Sequence, residues 1–63
     1  MSDLTRQVFS LVLLMPGLPP YRAAVLARAS SHAVTSAVAS LTRRGLLTLD
    51  SRGGLRVAPW TLL

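Results

Sequence analysis

The stretch SSHAVTSAVASLTRRGLL, residues 30–47, decides the fold of this chain. Four apolar residues within it recur at i, i+3, i+4 and i+7, and these are Val34, Ala37, Val38 and Leu41. This is the 3.6-residue period of a helix with one buried face. The pattern therefore predicts a helix over about residues 31–44 that packs this face against the rest of the domain.

Polar residues and a glycine mark both ends of this helix. Ser30 and Ser31 separate it from the preceding segment and supply its N-cap. Arg43 and Arg44 lie in the last turn, where cations interact favourably with the helix dipole. Gly45 stands where a left-handed residue is wanted, so it is expected to end the helix.

Beyond the helix the apolar period changes from 3.6 to 2 residues. Two short runs place an apolar residue at every second position, and these pairs are Leu47 with Leu49 and Leu55 with Val57. Between the runs, residues 50–54 read Asp-Ser-Arg-Gly-Gly, a turn in which both glycines are expected to supply positive φ. We predict a β-hairpin over about residues 46–58, followed by a short apolar tail after Pro59.

Two further helices are predicted before this stretch. The first runs over about residues 3–15, is capped by Ser2, and carries one apolar stripe, which consists of Leu4, Val8, Leu11, Val12 and Met15. Pro-Gly-Leu-Pro-Pro at residues 16–20 interrupts the pattern, and the second helix follows over about residues 20–29. The sequence therefore predicts one domain, residues 1–63, that is mostly α with a small β-hairpin.

Composition limits the classes of function. The 63 residues include no cysteine, which removes disulfides and thiolate zinc sites. Asp3 and Asp50 are the only acids, so a paired-carboxylate active site is not expected. His32 has no second His or Cys to share a metal ion, and no nearby acid to orient it beside a serine. We expect no catalytic residue, metal or cofactor, and a binding module rather than an enzyme.

The most apolar run covers residues 8–15 and ends at Pro16. A membrane-spanning helix needs about 20 apolar residues, and this run is less than half as long. An arginine and an aspartate precede the run, and no small-residue cleavage pattern follows it, so it does not fit a signal peptide. We expect a cytoplasmic protein with no membrane partner.

Residues 24–47 resemble the winged helix-turn-helix superfamily, most of all the MarR-like bacterial repressors. The residues that carry the resemblance are Ala24 inside the second helix, Ser30 entering the third, the ladder Val34, Val38 and Leu41, and the exit Arg44-Gly45-Leu46-Leu47. With the hairpin included, the resemblance covers about residues 4–59; it is specific for architecture and weak for target. Arg28 departs from the family pattern, which usually has a glycine in the turn between the second and third helices. The absence of this glycine allows a slightly longer connection between the two helices.

The resemblance implies that the third helix enters the major groove of DNA with its N-terminal half. The side opposite the apolar ladder carries four candidates for base contacts, namely His32, Thr35, Ser36 and Ala39. Small hydroxyls can bond several bases, and the methyl groups of Thr35 and Ala39 can meet a thymine methyl. Because the first two turns hold no Arg, Asn or Gln, we expect only modest sequence discrimination.

All seven basic residues are arginines, and the formal net charge is +5. Six of them fall in the motif and the hairpin and are candidates for contacts with phosphates or the minor groove: Arg22, Arg28, Arg43, Arg44, Arg52 and Arg56. Arg52 stands at the hairpin tip, where a wing reaches a minor groove. Arg6 is separate from this group, on the first helix.

Several large apolar residues have no expected cover in so small a domain, and these are Phe9, Leu13, Leu14, Trp60, Leu62 and Leu63. Phe9 and Leu13 are predicted to point away from the apolar stripe of the first helix. Burying one such side chain stabilises by about 1.5–3 kcal/mol. We therefore predict a homodimer through the first helix and the C-terminal tail, which would present paired recognition helices to two half-sites. The alternative is a monomer in which Trp60 folds back over Phe9.

Together these features predict a small dimeric winged-helix transcriptional regulator, repressor-like, that binds double-stranded DNA. The alternative from another class is a winged-helix adaptor or inhibitor that docks on a larger nucleic-acid-processing assembly. A third possibility, a cationic membrane-active peptide, would be helical only in the presence of lipid.

Overall fold

The chain folds into three helices followed by a hairpin. The computed structural model describes the backbone of residues 2–62 and the side chains of residues 2–61. Within this range the elements are α1 (Asp3–Leu14), α2 (Pro20–Ala27), α3 (Ser31–Arg43), β1 (Leu47–Leu49), β2 (Leu55–Val57) and a 3-10 helix (Pro59–Leu62). The strands pair antiparallel, with Leu47 opposite Val57. The predicted fold class, mostly α with a small β-hairpin in a winged-helix-like arrangement, is confirmed.

Each helix ends one or two residues before its predicted end. α1 stops at Leu14 because Met15 leaves the helical region, with φ −131° and ψ 76°. The other two helices stop at Ala27 and Arg43. The segment from Pro59, expected as a simple tail, is instead a turn of 3-10 helix. Within the described residues, no helix is both long enough and apolar enough to cross a membrane.

Capping residues fix the ends of α1 and α3 as the sequence predicts. Ser2 Oγ accepts a hydrogen bond from the Thr5 N–H at 3.1 Å. Ser30 Oγ accepts one from the Ala33 N–H at 3.1 Å. Gly45 adopts φ +73° just beyond α3, the left-handed conformation that commonly ends a helix.

The core lies where the helices meet the hairpin. Its buried apolar residues come from the three helices, the linker between α1 and α2 and both strands: Val8, Val12, Leu18, Ala23, Ala24, Val34, Ala37, Leu41, Leu47 and Leu55. α3 presents its predicted apolar face, with Val38 half-buried at the edge. The α1 face differs from its prediction, because Met15 lies outside the helix and is 39% exposed. Thr5 is buried instead, and its hydroxyl lies 2.7 Å from Ser2 Oγ, which satisfies it.

The linker between α1 and α2 pairs with the free edge of β2 and so adds a third segment to the hairpin sheet. Leu18 pairs antiparallel with Leu55. The Leu55 N–H donates to the Leu18 carbonyl at 2.7 Å, and the Gly17 N–H donates to the Leu55 carbonyl at 2.8 Å. β2 therefore has a hydrogen-bonded partner on each side. The pattern of residues 16–20 indicates only a break between helices, so sequence reasoning missed this pairing.

The two hairpin glycines serve different purposes. Gly53 adopts φ +81° at the tip, as expected. Gly54 has no positive φ, so the prediction is wrong there. A Cβ atom on Gly54 would lie 2.5 Å from the Gly17 carbonyl oxygen and 2.8 Å from Asp50 Oδ2. Gly54 is therefore needed because the linker backbone approaches too closely for any side chain.

Gly54→Ala is expected to destabilise the domain by about 2–3 kcal/mol, because the new methyl group overlaps the Gly17 carbonyl oxygen, whose residue is held by the bond from its N–H to Leu55. Urea unfolding measures the loss, and amide exchange at Leu55 should accelerate with it. Gly53→Ala is the matched control: nothing lies within 4 Å of its Cβ position, and its strained φ costs about 1 kcal/mol. Equal losses in the two variants would contradict the close-approach account.

Candidate nucleic-acid interface

The predicted base-contacting residues share one exposed side of α3. Val34, Ala37 and Leu41 turn towards the core, where α3 packs against α1, α2 and β1. The opposite side carries four exposed residues, His32, Thr35, Ser36 and Ala39. We call this surface the α3 face. It is open to solvent in the described chain, and its side chains are short.

The α3 face offers fewer hydrogen-bond donors than its composition suggests. Thr35 Oγ1 donates to the Ser31 carbonyl at 2.8 Å, in the same helix. The Thr35 hydroxyl proton is therefore engaged, and its oxygen is left to accept a hydrogen bond from a base. Its exposed methyl group remains suited to a thymine methyl. Donation to a base edge on this face then depends on His32 and Ser36.

The turn between α2 and α3 contains a left-handed arginine. Arg28 adopts φ 54° and ψ 44°, and only residues 28–30 separate the two helices. The longer connection that the missing glycine allowed does not occur. The turn closes through the Ala29 N–H, which donates to the Ala24 carbonyl at 3.0 Å.

The conformation of Arg28 has a stability cost. A left-handed backbone costs a non-glycine residue about 1–2 kcal/mol. The other described residues with positive φ are all glycines, at positions 17, 45 and 53. Arg28 therefore keeps an exposed guanidinium near the start of α3 at a position where glycine is the more stable choice. Backbone strain of this kind concentrates at functional sites.

Asp50 organises the tip of the hairpin. Its Oδ1 accepts hydrogen bonds from the backbone N–H groups of Arg52 and Gly54, both at 2.8 Å. Its Oδ2 accepts one from Arg56 Nε at 3.3 Å. The Gly54 N–H and then the Arg52 N–H hold the pKa of this carboxyl below its ordinary value, Arg56 adds to them, and desolvation opposes them. The negative form of Asp50 thus holds Arg52 at the tip.

The candidate phosphate-contacting arginines are all exposed, but they differ in setting. Arg43 and Arg44 lie at the end of α3, and Arg52 occupies the hairpin tip. Arg56 forms the salt bridge with the turn carboxylate, so part of its charge is already neutralised. Arg22 lies on α2, on the side opposite the buried alanines.

The residues predicted to form a dimer surface are only partly available. Phe9 is half-buried and packs against the core, so the prediction that it points away is wrong. The buried face of α1 is wide enough to include Phe9 because this residue directly follows the fully buried Val8. Leu13 and Leu14 remain exposed, at 45% and 78%.

Trp60 packs at the end of α3. Its indole Nε1 donates to the Gly45 carbonyl at 2.6 Å, and 61% of the residue stays exposed. The alternative in which it folds back over Phe9 is replaced by this contact. The side chain of Leu62 and the whole of Leu63 lie outside the described residues, so their assignment to a dimer surface stays a prediction.

A shallow groove of about 230 Å³ lies between the end of α1 and β2. Its lining is mostly apolar and consists of Val12, Leu13, Pro16, Arg56 and Val57. Its charged residue, Arg56, is the one already paired with Asp50. Among residues 2–62, no group of three His, Cys, Asp or Glu side chains is placed to hold a metal ion.

The order of the hairpin tip is expected to depend on pH through Asp50. Because its folded pKa is lowered, the carboxylate contributes stability that is fully present above the unfolded pKa of about 3.9 and is lost as the pH falls through the folded pKa. Acidification through this window should lower the protection of the Arg52 and Gly54 amides, measured as the ratio of the intrinsic exchange rate to the observed rate at each pH. Asp50→Asn should abolish this pH step, and Asp3→Asn should leave it in place. The same step in Asp50→Asn would refute the assignment.

Arg28→Gly is expected to raise the free energy of unfolding by about 1 kcal/mol, because glycine adopts the left-handed conformation without strain. Arg44→Gly is the control, since it removes the same side chain from a right-handed position, with φ −80° and ψ −3°. That variant should lose about 0.5–1 kcal/mol. Urea unfolding of the two proteins decides the matter, and a loss of stability in Arg28→Gly would show that the turn is not strained.

Comparison with known proteins gives no family for this chain. No family model, no curated protein and no solved structure matches it. The resemblance of residues 24–47 to winged-helix repressors therefore stays a prediction from the sequence.

Proposed function

We propose that this chain is a cytoplasmic winged-helix protein that binds double-stranded DNA as a repressor-like transcriptional regulator. The observation that carries the proposal is the α3 face, an exposed set of short side chains followed by Arg43 and Arg44 at the helix end. Short side chains let a helix approach base edges in the major groove, and arginines at its end can bind the flanking phosphates. The proposal gives the chain no catalytic role.

The charge distribution supports this proposal. The chain carries a net charge of +5. Asp50 is occupied within the hairpin turn, and Asp3 lies in the first turn of α1, where it favours the helix dipole. Neither carboxylate belongs to the α3 face. A polyanion approaching α3 and the hairpin tip therefore meets mainly arginine.

The chemistry of the α3 face favours modest sequence preference. The first two turns of α3 contain no side chain that can bond a base in the bidentate manner of Arg, Asn or Gln. With the Thr35 proton engaged by the helix, contacts with thymine methyl groups contribute more of the preference than donated hydrogen bonds do. Arg28 and Arg52 then position the duplex from the turn and from the wing.

The proposed active form is a homodimer. Leu13 and Leu14 are the exposed apolar pair left on α1, and a second copy covering them would gain hydrophobic burial. Two-fold symmetry would present the two α3 faces to two half-sites, which lie about 34 Å apart, one helical turn of DNA. Phe9 is half-buried against the core, so it offers less surface to this contact than Leu13 and Leu14 do.

Arg43→Ala and Arg52→Ala are each expected to weaken binding to duplex DNA and to reduce the slope of log affinity against log salt by about 1. Arg6→Ala is the matched control, because it removes the same charge from α1, outside the proposed interface. Arg28→Gly should also bind more weakly, in spite of its higher stability. Gel shifts or fluorescence anisotropy on a random duplex at two salt concentrations measure all four variants.

Two results of this assay would overturn the proposal. The first is absence of duplex binding by the unmodified protein at low salt. The second is an equal effect of Arg6→Ala and the interface variants, which would mean that net charge alone attracts the DNA.

A further inference from the structure

The outward side of α2 is apolar, which is the reverse of an ordinary surface helix. α2 turns its small residues, Ala23 and Ala24, towards the core. Its larger apolar residues face solvent: 69% of Tyr21, 73% of Val25 and 43% of Leu26 is exposed. Arg22 lies on the same side of the helix. We call Tyr21, Arg22, Val25 and Leu26 the outer α2 face.

The fold gives no reason for these residue types at these positions. The buried core cluster takes only Ala23 and Ala24 from α2, so the larger side chains contribute little to core burial. An apolar cluster that stays in water gains nothing from exposure and favours association. The outer α2 face therefore has the character of a contact surface that a binding partner covers.

Duplex DNA fits only the Arg22 edge of this surface. Phosphates need hydrogen-bond donors; Arg22, a candidate phosphate contact, and the Tyr21 hydroxyl can donate, but the side chains of Val25 and Leu26 offer no donor. Packing the DNA backbone against them would desolvate phosphates without compensating contacts. The α3 face and the hairpin tip provide most of the proposed DNA surface, and neither includes Val25 or Leu26.

A second copy of this chain fits poorly as well. A two-fold contact between outer α2 faces would bring Arg22 close to its own counterpart, and like charges repel. The chain has only two carboxylates to offer in return. Asp50 is engaged with Arg52, Gly54 and Arg56 in the hairpin, and Asp3 caps the dipole of α1.

We infer that the outer α2 face docks an acidic amphipathic segment of another protein. Apolar side chains of that segment would cover Tyr21, Val25 and Leu26, and a carboxylate would pair with Arg22. The contact is separate from the α3 face and shares only Arg22 with the candidate phosphate contacts, so the domain can hold a duplex and a protein partner at once. This goes beyond the proposed DNA binding and does not rest on it. It also supplies a route of control to a domain too small to hold a ligand-binding unit.

The test uses a fluorescent helical peptide of about 18 residues, with leucines on one face and glutamates elsewhere. A second peptide has each leucine replaced by serine and so keeps the charge. At about 0.15 M salt, where exposed charges are screened, the leucine peptide should bind at least about tenfold more tightly than the serine peptide. Val25→Ser and Arg22→Ser should each weaken its binding about tenfold.

The control is Leu14→Ser, which removes an equally exposed apolar residue from α1: 78% of Leu14 is exposed, against 73% of Val25. This variant should bind the leucine peptide normally. Val25 is exposed, so thermal unfolding of Val25→Ser should match that of the parent protein. Leu14 belongs to the proposed dimer surface, so Leu14→Ser is compared with the parent at a protein concentration where both have the same solution mass. Val25→Ser should also keep its affinity for duplex DNA.

Several outcomes would overturn the inference. They are no binding of the leucine peptide, equal binding of the two peptides, or equal effects of Val25→Ser and Leu14→Ser. A fall in the solution mass of the protein on Val25→Ser would assign the face to a second copy. Loss of duplex affinity in Val25→Ser would assign it to DNA. The proposed DNA binding fails only in the separate duplex assay, so the two failures are distinguishable.

Discussion

The backbone of Leu55 holds this domain together. Its N–H and carbonyl bond the linker at Leu18 and Gly17, while its side chain is fully buried among the helices. A small domain buries only about 60% of the surface that its unfolded chain exposes, so each contact between distant segments contributes appreciably to its stability. This one joins the hairpin to the junction of the first two helices, which is far away in sequence. It forms only because Gly54 leaves room for the linker.

The backbone pairing of Leu55 with the linker also orients the hairpin relative to α3, and with it the proposed DNA surface. β1 packs on α3, and β2 packs on α1. With the hairpin fixed at both points, its tip cannot move freely relative to α3. Asp50 then holds the tip in shape through two backbone N–H groups. A preorganised surface loses less entropy when it binds, so the contacts that stabilise the fold would also favour the proposed DNA binding.

Sequence reasoning predicted the elements whose signals are local. The apolar ladder of α3, its serine cap and its terminal glycine act within one or two turns, and each appears as expected. Reasoning failed where distant segments decide. The pairing of Leu18 with Leu55, the close approach at Gly54 and the half-burial of Phe9 depend on tertiary contacts that no periodicity encodes. The sequence predicts that the candidate base contacts share one exposed side of α3, and they do. The hydrogen bond from the Thr35 hydroxyl to the Ser31 carbonyl is visible only in the structure.

The hydrogen bond from Trp60 to Gly45 gives the molecule a built-in optical reporter. The chain has a single tryptophan, and its indole sits half in water at the carboxyl end of α3. Indole emission shifts in wavelength and intensity when its solvent contact or its hydrogen-bond partner changes. Intrinsic fluorescence therefore reports on the contact between the 3-10 helix and the end of α3, without a label and without a second tryptophan to interfere.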